Sequence, residues 1–542
     1  MSTQTKKLNL LLKNAQSQIN EKKWSGVVSL LLKAKPLDEG NHSIHFQLAW
    51  AYIELGQHDK ALPFLARVEK LASKDAAVLN SVAMAYIKIQ HWAHALLALL
   101  RAMDQDESYY DTYLNLATVY NNLGQHKKSL DVSMKAVGVD VSKMRGHLNM
   151  GVALLGMNLF DEARTAFETC LHLEPTSPIV ILNLAITDGR QGNSAQAVAG
   201  YQRYLSLVET QVDDNVNAAR YFLGHELLKS GQIKAGWDFY EFGFDPAVPS
   251  YVARGPARKF DAPRWNGQPI PTKRLLVWAE QGLGDEILFL SCLKDVLAVC
   301  HDVVLECEPR LVPVFARSFP SVTVRATAFD RQNFNKSIFN DFDYQISIGS
   351  LPRIFRPNLE SFHKSLPFVI PDEVLRNRFK NRLAGFEDKL KIGICWRSGL
   401  LRAERNNDYS AIMDWGPLLQ LSNCVFVNLQ YGDCEAELVE VESLYGITIL
   451  RWTDLNLKND IDDVFALIDC LDLVVTAGTA VNPMTGALGK ACLLLQGSWD
   501  WTNLGTDAYP WFPNTSCFTC EKGDSPATLI PNIANIISQL SN

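Results

Sequence analysis

The chain has 542 residues, of which 47% are hydrophobic and 20% are charged. This balance is typical of globular proteins and excludes a chain that is disordered throughout. The formal net charge is −7, which disfavours a role in binding nucleic acid, and no nucleic acid partner is predicted. At about 150 residues per domain, the length predicts three or four folding units.

The cysteines and the apolar runs bear on the cellular location. Ten of the 11 cysteines follow residue 290, and an odd number in so large a chain favours reduced thiols. No apolar run approaches the roughly 18 residues that cross a bilayer. The first residues, MSTQTKKLNLLLKN, lack the pattern of a secretory signal. We therefore expect a cytoplasmic protein without a membrane span.

The first part of the chain repeats itself every 34 residues. Small residues form two series with this spacing: Ala49, Ala83, Ala117, Gly151 and Ala185, and then Ala61, Ala95, Ser129, Ala163 and Ala197. Small side chains let two helices pack closely, and Gly56, Gly124 and Gly192 favour turns between them. The pattern resembles the tetratricopeptide repeat. It predicts an α-solenoid domain over residues 1–243, with about seven repeat units from residue 4 onward.

A solenoid of this kind presents a long concave face to extended peptides or partner helices. A protein or peptide partner is therefore predicted, and the alternative is an array that serves only as a spacer. Four asparagines recur at intervals of 34 or 35 residues in the first helices of the units: Asn80, Asn115, Asn149 and Asn183. Asparagine amides can bind a peptide backbone of any sequence, so these four are the predicted acceptor-binding residues. The alternative that they cap helices or pack within the array stays open.

The pattern changes after Phe242. A segment rich in proline and glycine predicts a connector over residues 244–273. Short apolar runs then alternate with helical segments, which is typical of parallel strands covered on both faces. Eight strands are predicted: Leu275–Ala279, Val303–Cys307, Tyr344–Ile348, Ile392–Trp396, Val425–Leu429, Ile447–Leu450, Leu473–Thr476 and Cys492–Gln496.

A break near residues 366–377 divides these strands into two groups. The division predicts two Rossmann-like α/β halves, residues 274–375 and residues 376–542, and a closing helix at the C-terminus of the second. Ligands are expected in a cleft between the halves, at the carboxyl ends of the strands.

The first candidate for chemistry follows the first predicted strand, in the segment EQGLGDE at residues 280–286. Gly282 and Gly284 allow a tight turn and a close approach of the backbone to a ligand. A dinucleotide site is disfavoured because the third glycine of its fingerprint is missing. Asp285 stands where a general base would act on an acceptor hydroxyl. Aspartate is also favoured as a helix cap, and the spacing alone favours the cap.

A second candidate turn follows the strand Leu473–Thr476. Gly478, Thr479 and Ala480 lead into a helix whose first N–H groups suit a phosphate. The alternative is an ordinary turn between a strand and a helix.

A third candidate turn contains Trp396, Arg397 and Ser398. Arg397, together with Arg402 and Arg405, offers positive charge to an anionic ligand. The alternative is a solvated basic loop, which is the favoured interpretation for Arg402 and Arg405.

These segments, VWAEQGLGDEILF, KIGICWRSG and LVVTAGTAVNPMTGALGK, are preceded by GxxxxGWDFYEF at residues 231–242. Together they resemble bacterial tetratricopeptide proteins with a glycosyltransferase-like domain. That domain is similar to the heptosyltransferase family and, more distantly, to the eukaryotic O-linked N-acetylglucosamine transferases. The resemblance spans nearly the whole chain. It implies a GT-B fold, a nucleotide-sugar donor in the C-terminal half, an acceptor facing the N-terminal half, and no essential metal or other cofactor.

The resemblance also implies roles for single residues. Asp285 falls on the aspartate expected to be the base, and Thr479 and Ala480 fall on the helix start that contacts the donor phosphate. Gln430, which follows a predicted strand, falls near the nucleotide side of the cleft.

The chain departs from the family pattern at four positions. Gly478 and Pro483 stand where an aspartate and a histidine are usual, and Tyr409 and Thr506 stand in place of two arginines. These changes remove hydrogen bonds that stabilise a nucleotide diphosphate. Two explanations remain: a donor with less phosphate charge, such as a CMP-activated nonulosonic acid, or the loss of catalysis.

The sequence thus predicts a metal-independent glycosyltransferase that moves a sugar from a nucleotide-sugar to Ser or Thr of a protein held by the repeats. Flagellin is the expected acceptor, by analogy with related domain pairings. The alternative is a non-catalytic adaptor or scaffold with a degenerate transferase domain. A third possibility is transfer to a glycan or lipid-linked sugar, which would not need so long a solenoid.

Overall fold

The structure is a computed structural model that describes residues 3–209, 213, 215–246, 248, 253–255, 257–330, 336–362, 367–399, 408–498, 500–521 and 524–540. The chain divides into two compact units, Met1–Thr187 and Asp188–Asn542. The first unit is helical, and the second combines the last repeat helices with parallel sheets.

Consecutive helices alternate with short turns from Thr3 to Tyr240 and form seven helix–turn–helix units within the described residues. The predicted helical repeat is therefore confirmed. The helices are α1 (Thr3–Asn20), α2 (Trp24–Ala34), α3 (His42–Glu54), α4 (His58–Leu71), α5 (Ala76–Lys88), α6 (Trp92–Gln105), α7 (Tyr110–Asn122), α8 (His126–Val139), α9 (Met144–Gly156), α10 (Phe160–Leu173), α11 (Pro178–Arg190), α12 (Ser194–Val208), α13 (Val216–Lys229) and α14 (Ile233–Tyr240).

The small residues of the repeat lie where helices come closest. Ala49, Ala83 and Ala117 are fully buried. At Gly151 of α9, an added Cβ would lie only 2.5 Å from Cε1 of Phe167 on α10. A side chain at this position would therefore displace the Phe167 ring, because protein interiors are closely packed.

The turn within each repeat unit uses the left-handed backbone region. Gly56, Gly124 and Gly192 have φ angles of +70°, +69° and +76°. Gln90 and Asn158 continue the same 34-residue series with φ angles of +59° and +60°. The turn therefore requires a positive φ whether or not its residue is glycine, and a residue with a Cβ pays about 1 kcal/mol or more for it.

The second unit contains two parallel sheets. The strands of the two sheets are β1 (Arg274–Trp278), β2 (Asp302–Cys307), β3 (Thr323–Ala326), β6 (Tyr344–Ser347), β7 (Leu390–Cys395), β8 (Cys424–Asn428), β9 (Ile449–Leu450), β10 (Leu473–Ala477), β11 (Ala491–Gln496) and β12 (Thr515–Thr519). The smaller sheet has the strand order β3-β2-β1-β6, and the larger has the order β12-β11-β10-β7-β8-β9. All eight predicted strands are present, and the parallel α/β prediction is confirmed.

Helices connect these strands. They are α15 (Leu283–Leu290), α16 (Leu293–Val299), α17 (Val312–Ser318), α18 (Leu351–Phe355), α19 (Glu373–Arg382), α20 (Gly416–Leu419), α21 (Glu435–Tyr445), α22 (Ile461–Asp469), α23 (Val481–Ala487) and α24 (Ile530–Leu540). The last of them is the C-terminal helix that the sequence predicted. Its apolar side buries Ile530, Ile533 and Ile537.

Four strands of the described residues were not predicted. β3 and β12 lie at sheet edges and carry mostly half-exposed side chains, so they lack the continuous apolar run of a central strand. β4 (Phe329–Asp330) and β5 (Lys336–Ser337) form a separate antiparallel pair of two residues each. Such short strands give no periodic signal.

The predicted connector has neither helix nor strand in its described residues beyond Phe244, but it is closely packed. Arg254 is fully buried and Trp265 is 2% exposed. The Trp265 amide donates to the carbonyl of Gln345 on β6 at 2.9 Å, and the Gln345 amide donates to the carbonyl of Pro263 at 3.1 Å. The connector thus extends the edge of the smaller sheet.

The helix α14 packs directly against the α/β part of the second unit. The indole Nε1 of Trp237 donates to the carbonyl of Arg356 at 3.0 Å, and Trp237 is 1% exposed. Its ring lies edge-on to Trp501 and Trp511, with ring centroids 5.9 and 6.2 Å away. At Gly505, an added Cβ would lie 2.6 Å from the amide nitrogen of Gly231, so two backbones meet there without room for a side chain.

The turn strain gives a test of the repeat. Replacing Gln90 by glycine should raise the free energy of unfolding by about 1 kcal/mol, because glycine adopts a positive φ without a steric cost. Replacing Gly124 by glutamine, the reverse change at the equivalent turn, should lower it by a similar amount. Urea titration of both variants measures the effect, and shifts of the same sign would contradict the strain argument.

Candidate functional site

A cleft of about 320 Å³ lies at the carboxyl ends of β1, β7, β10 and β11. This is where ligands bind in open parallel sheets. Six residues predicted as site residues line it: Gly284, Asp285, Ser398, Gly478, Thr479 and Ala480. The turns after β1 and β10 meet here, and an added Cβ at Gly284 would lie 3.2 Å from the Cα of Ala480.

Asp285 is the third residue of α15 and also lines the cleft. Its Oδ2 accepts a hydrogen bond from the amide of Gly282 at 3.2 Å. The carboxylate therefore binds the amide at the start of the helix, which is a capping role, and Asp285 also lines the cleft. Gly282 does not line the cleft but supplies the amide that orients Asp285.

Thr479 lies two residues before the short helix α23. Its Oγ1 accepts from the amide of Val481 at 3.3 Å and lies 3.2 Å from the hydroxyl of Thr476 and 3.5 Å from Sγ of Cys395. The turn that lines the cleft is thus held by hydrogen bonds to two central strands. The turn directly follows β10, at the strand end where it was predicted.

The turn after β7 is arranged differently from the prediction. Gln430 is 1% exposed, and its Oε1 accepts from the amides of Trp396 and Arg397 at 3.1 and 3.0 Å. The Arg397 guanidinium forms an ion pair with Glu437 and donates to the carbonyl of Asp433 at 2.9 Å. These hydrogen bonds and the ion pair hold Trp396, Arg397 and Gln430 beside the cleft, and none of the three lines it. Arg402 and Arg405 lie outside the described residues.

The described lining of the cleft is acidic. Asp285, Asp408 and Asp500 contribute carboxylates, and none of the described lining residues is Arg, Lys or His. Asp408 and Asp500 were missed by sequence reasoning. Asp500 follows β11, so the rule that ligands bind at strand ends would have found it.

Three of the four departures from the family pattern fall in the cleft. Gly478, Tyr409 and Pro483 all line it. Thr506 does not, and its hydroxyl donates to the carbonyl of Asn503 at 2.8 Å. Three of these positions therefore belong to the lining of the cleft, and the fourth lies outside it.

A second cavity of about 680 Å³ adjoins the cleft and shares Tyr431 with it. It lies beyond the carboxyl ends of β8 and β9. Gln430, Trp452 and Lys458 line it, as does Arg451, which is paired with Glu435 and Glu442: this lining mixes apolar and charged side chains.

The four asparagines of the repeat use their amides inside the first unit. Asn80 is 4% exposed and accepts from Nδ2 of Asn115 at 3.0 Å. Nδ2 of Asn149 donates to the Leu114 carbonyl at 3.0 Å, and Nδ2 of Asn183 donates to a carbonyl one turn earlier at 2.8 Å. Asn80 lies one position before the exact 34-residue register of the other three, and α5 turns it inward.

Within the described ranges, no group of three or more His, Cys, Asp or Glu side chains is arranged to hold a metal ion. No described helix has both the length and the apolar character needed to cross a bilayer.

Comparison with known proteins places these features in a family. A model of the coatomer epsilon subunit family matches residues 3–145. Protein FlbA of Caulobacter vibrioides is 32% identical over 420 residues, which cover 75% of this chain and 69% of that protein. The BBSome complex member BBS4 of Bos taurus is 22% identical over 166 residues, 31% of this chain and 30% of that protein.

Among solved structures, a MamA protein is 23% identical with a TM-score of 0.29, and the match covers 32% of this chain and 93% of that one. A tetratricopeptide repeat protein from Parabacteroides merdae is 15% identical with a TM-score of 0.39, over 44% of this chain and 91% of that one.

The fold and the cleft define a protein with tetratricopeptide-like helical repeats and a parallel α/β domain. The match to protein FlbA is longer than the repeat region, so it extends into the α/β part. The chain belongs to the family of protein FlbA.

The carboxyl group of Glu286, next to Asp285, gives a test of the site's electrostatics. Glu286 is 4% exposed, and burial raises its pKa to about 8 from an ordinary value of 4.5. The folded chain therefore keeps a proton that the unfolded chain releases, and this contribution to stability is lost as the pH rises from 4.5 to 8. Replacing Glu286 by glutamine should change the free energy of unfolding more favourably at pH 8 than at pH 5, and the difference should be about 1 kcal/mol or more.

Chemical denaturation at the two pH values measures this difference. The matched control is Glu387→Gln at an exposed position, which should change stability equally at both. An effect of Glu286→Gln that does not depend on pH would contradict the raised pKa.

Proposed function

We propose that this chain is a glycosyltransferase that moves a sugar from a nucleotide-sugar donor to a Ser or Thr hydroxyl of a protein, in the cytoplasm. The observation that carries the proposal is the cleft, which gathers Asp285, Ser398 and the turn Gly478–Ala480 at the carboxyl ends of parallel strands. In this proposal the two sheets are the two Rossmann-like halves of a GT-B fold.

The chemistry requires one base and one group that stabilises the leaving phosphate. The Asp285 carboxylate takes the proton of the acceptor hydroxyl, and the hydroxyl oxygen bonds to the anomeric carbon of the sugar. The bond from that carbon to the phosphate oxygen breaks, and the nucleotide leaves with the electron pair. N–H groups of the turn Gly478–Ala480 stabilise the negative charge on the departing phosphate.

The second cavity supports a place for the nucleoside. It adjoins the cleft at Tyr431, and it presents Trp452, Lys458 and the edge of Gln430. A nucleoside there would lie on the side of the larger sheet, as the resemblance implies for Gln430. Ligand cavities in proteins usually have volumes of about 300–1,000 Å³, so the two cavities together hold a nucleotide-sugar.

The charge of the cleft bears on the donor. Three carboxylates repel a diphosphate, and the Arg397 guanidinium is already paired with Glu437. At the leaving group, a donor with one phosphate carries less negative charge than a donor with two. A CMP-activated nonulosonic acid, whose second negative charge is the carboxylate of the sugar, is our proposed donor, and flagellin, taken from the resemblance, is our proposed acceptor. The repeats would bind the acceptor protein, and Asn115, Asn149 and Asn183 would contact it.

The first test is binding. CMP, UDP, GDP and ADP and their common sugar conjugates, nonulosonic acid donors included, are added to the full chain in a thermal-shift panel. A ligand that binds the folded state raises the melting temperature by mass action. We expect a shift of several degrees with a CMP-linked donor at 100 times its Kd, since that excess adds about 2.7 kcal/mol.

The second test is catalytic. Asp285→Asn should lower transfer at least about 100-fold, because general base catalysis contributes about that much or more. The asparagine can still accept from the Gly282 amide, so the melting temperature should stay the same. Asp388→Asn, the same change at an exposed position, is the control. Transfer that persists in Asp285→Asn would remove Asp285 from the mechanism.

A second function is favoured by the acidic side chains of the described lining and by the departures at Gly478, Pro483 and Tyr409. The chain would then be a protein-binding scaffold whose α/β part has lost catalysis. No shift with any nucleotide in the panel, together with tight binding of a protein by the full chain, would establish this function in place of the first.

A further inference from the structure

The turn between β1 and α15 contains a strained residue. Gln281 has a φ of +59°, in the left-handed region that residues with a Cβ rarely adopt. Such a conformation is unfavourable for a residue with a Cβ and persists only when the surroundings hold it. Gln281 directly precedes the Gly282 amide that orients Asp285.

One side chain of the last repeat helix contacts this strained residue. Nε2 of Gln281 donates to the hydroxyl of Tyr240 at 2.7 Å, and that hydroxyl lies within donating distance of Oε1, at 3.1 Å. Tyr240 is the final residue of α14 and is 1% exposed.

The position of Tyr240 is itself fixed on several sides. The Arg254 guanidinium lies 4.7 Å from the centre of its ring, and the rings of Trp237 and Trp501 lie 5.4 and 5.8 Å away. Because the Tyr240 ring is fixed in this way, its hydroxyl restrains the Gln281 side chain to which it is hydrogen-bonded. Tyr240 on α14 therefore braces the strained turn.

The bracing extends to the cleft by a short path. The Tyr240 hydroxyl binds the side-chain amide of Gln281. The backbone N–H of the next residue, Gly282, donates to Oδ2 of Asp285 at 3.2 Å, and Asp285 lines the cleft. The position of a reactive group matters to within about 1 Å, because a displacement of that size can lower the rate about 100-fold. The hydroxyl of Tyr240 is thus three contacts from the candidate base.

We propose that Tyr240 is a positioning residue: its hydroxyl holds the turn at Gln281 and thereby sets the orientation of the Asp285 carboxylate. The catalytic consequence rests on the proposed function, whereas the bracing of the turn does not. Tyr240 touches no substrate in this proposal and acts only through Gln281.

The bracing is tested by hydrogen exchange of the full chain, followed in peptides that cover residues 279–290. Tyr240→Phe keeps the ring and removes the hydroxyl, and amide exchange in this segment should become about tenfold faster. Tyr204→Phe makes the same change at a fully buried tyrosine of α12 and should leave the segment unchanged. Equal exchange in Tyr240→Phe and the unaltered chain would overturn the proposal, whatever the activity.

A second variant separates bracing from general loss of packing. Gln281→Gly removes the contact but takes a positive φ without strain. Adding Tyr240→Phe to Gln281→Gly should then have no further effect on exchange in the segment, because the partner is gone. An equal effect of Tyr240→Phe with and without Gln281 would show a contribution that does not pass through this contact and would overturn the proposal.

The catalytic arm uses transfer kinetics. Tyr240→Phe should lower kcat about tenfold with the donor KM within about twofold, since a misplaced base slows chemistry and leaves donor binding intact. A change in KM alone would overturn the positioning role. If the unaltered chain shows no transfer, the proposed function fails, and the exchange comparison alone supports or overturns the bracing of the turn.

Discussion

The second unit is organised around one buried guanidinium. Nε of Arg254 lies 3.1 Å from both carboxylate oxygens of Glu280, and Nη1 donates to Glu241 at 3.1 Å. Nη2 donates to the hydroxyls of Ser347 and Ser350 at 3.0 and 2.9 Å. A buried charge is tolerated only when it is paired and fully hydrogen-bonded, and removal of one partner costs about 3–5 kcal/mol. This one side chain therefore fixes the connector, the end of the repeat and the ends of β1 and β6 together.

Much of the fold follows from short-range pattern. Small residues at a 34-residue interval let successive helices pack closely, so they predict the repeat. Continuous apolar runs predict the central strands because both faces of those strands are covered. The edge strands β3 and β12 could not be predicted in this way, since one side of each is less covered and the apolar run is broken.

The site was predictable to the level of turns but not of side-chain direction. The carboxyl ends of strands identified Asp285, Ser398 and Thr479 as lining residues. Arg397 was expected to face a ligand, yet it pairs with Glu437 on α21, 40 residues later in the chain. The partner of a long side chain depends on which residues the fold brings near it, and the local sequence pattern does not contain that information. Asn80 differs for a simpler reason, because one residue along a helix rotates a side chain by about 100°.

The contact between Gly231 and Gly505 also bears on where the α/β domain begins in the chain. Two backbones touch where neither residue has a side chain, and the indole of Trp237 lies against Trp501 and Trp511. The helices α13 and α14 are thus part of the α/β domain's own core, although their sequence belongs to the repeat. A chain divided at residue 243 would separate these helices from the α/β part and leave an aromatic surface bare. The structural start of the α/β domain therefore lies inside the repeat array, before α13.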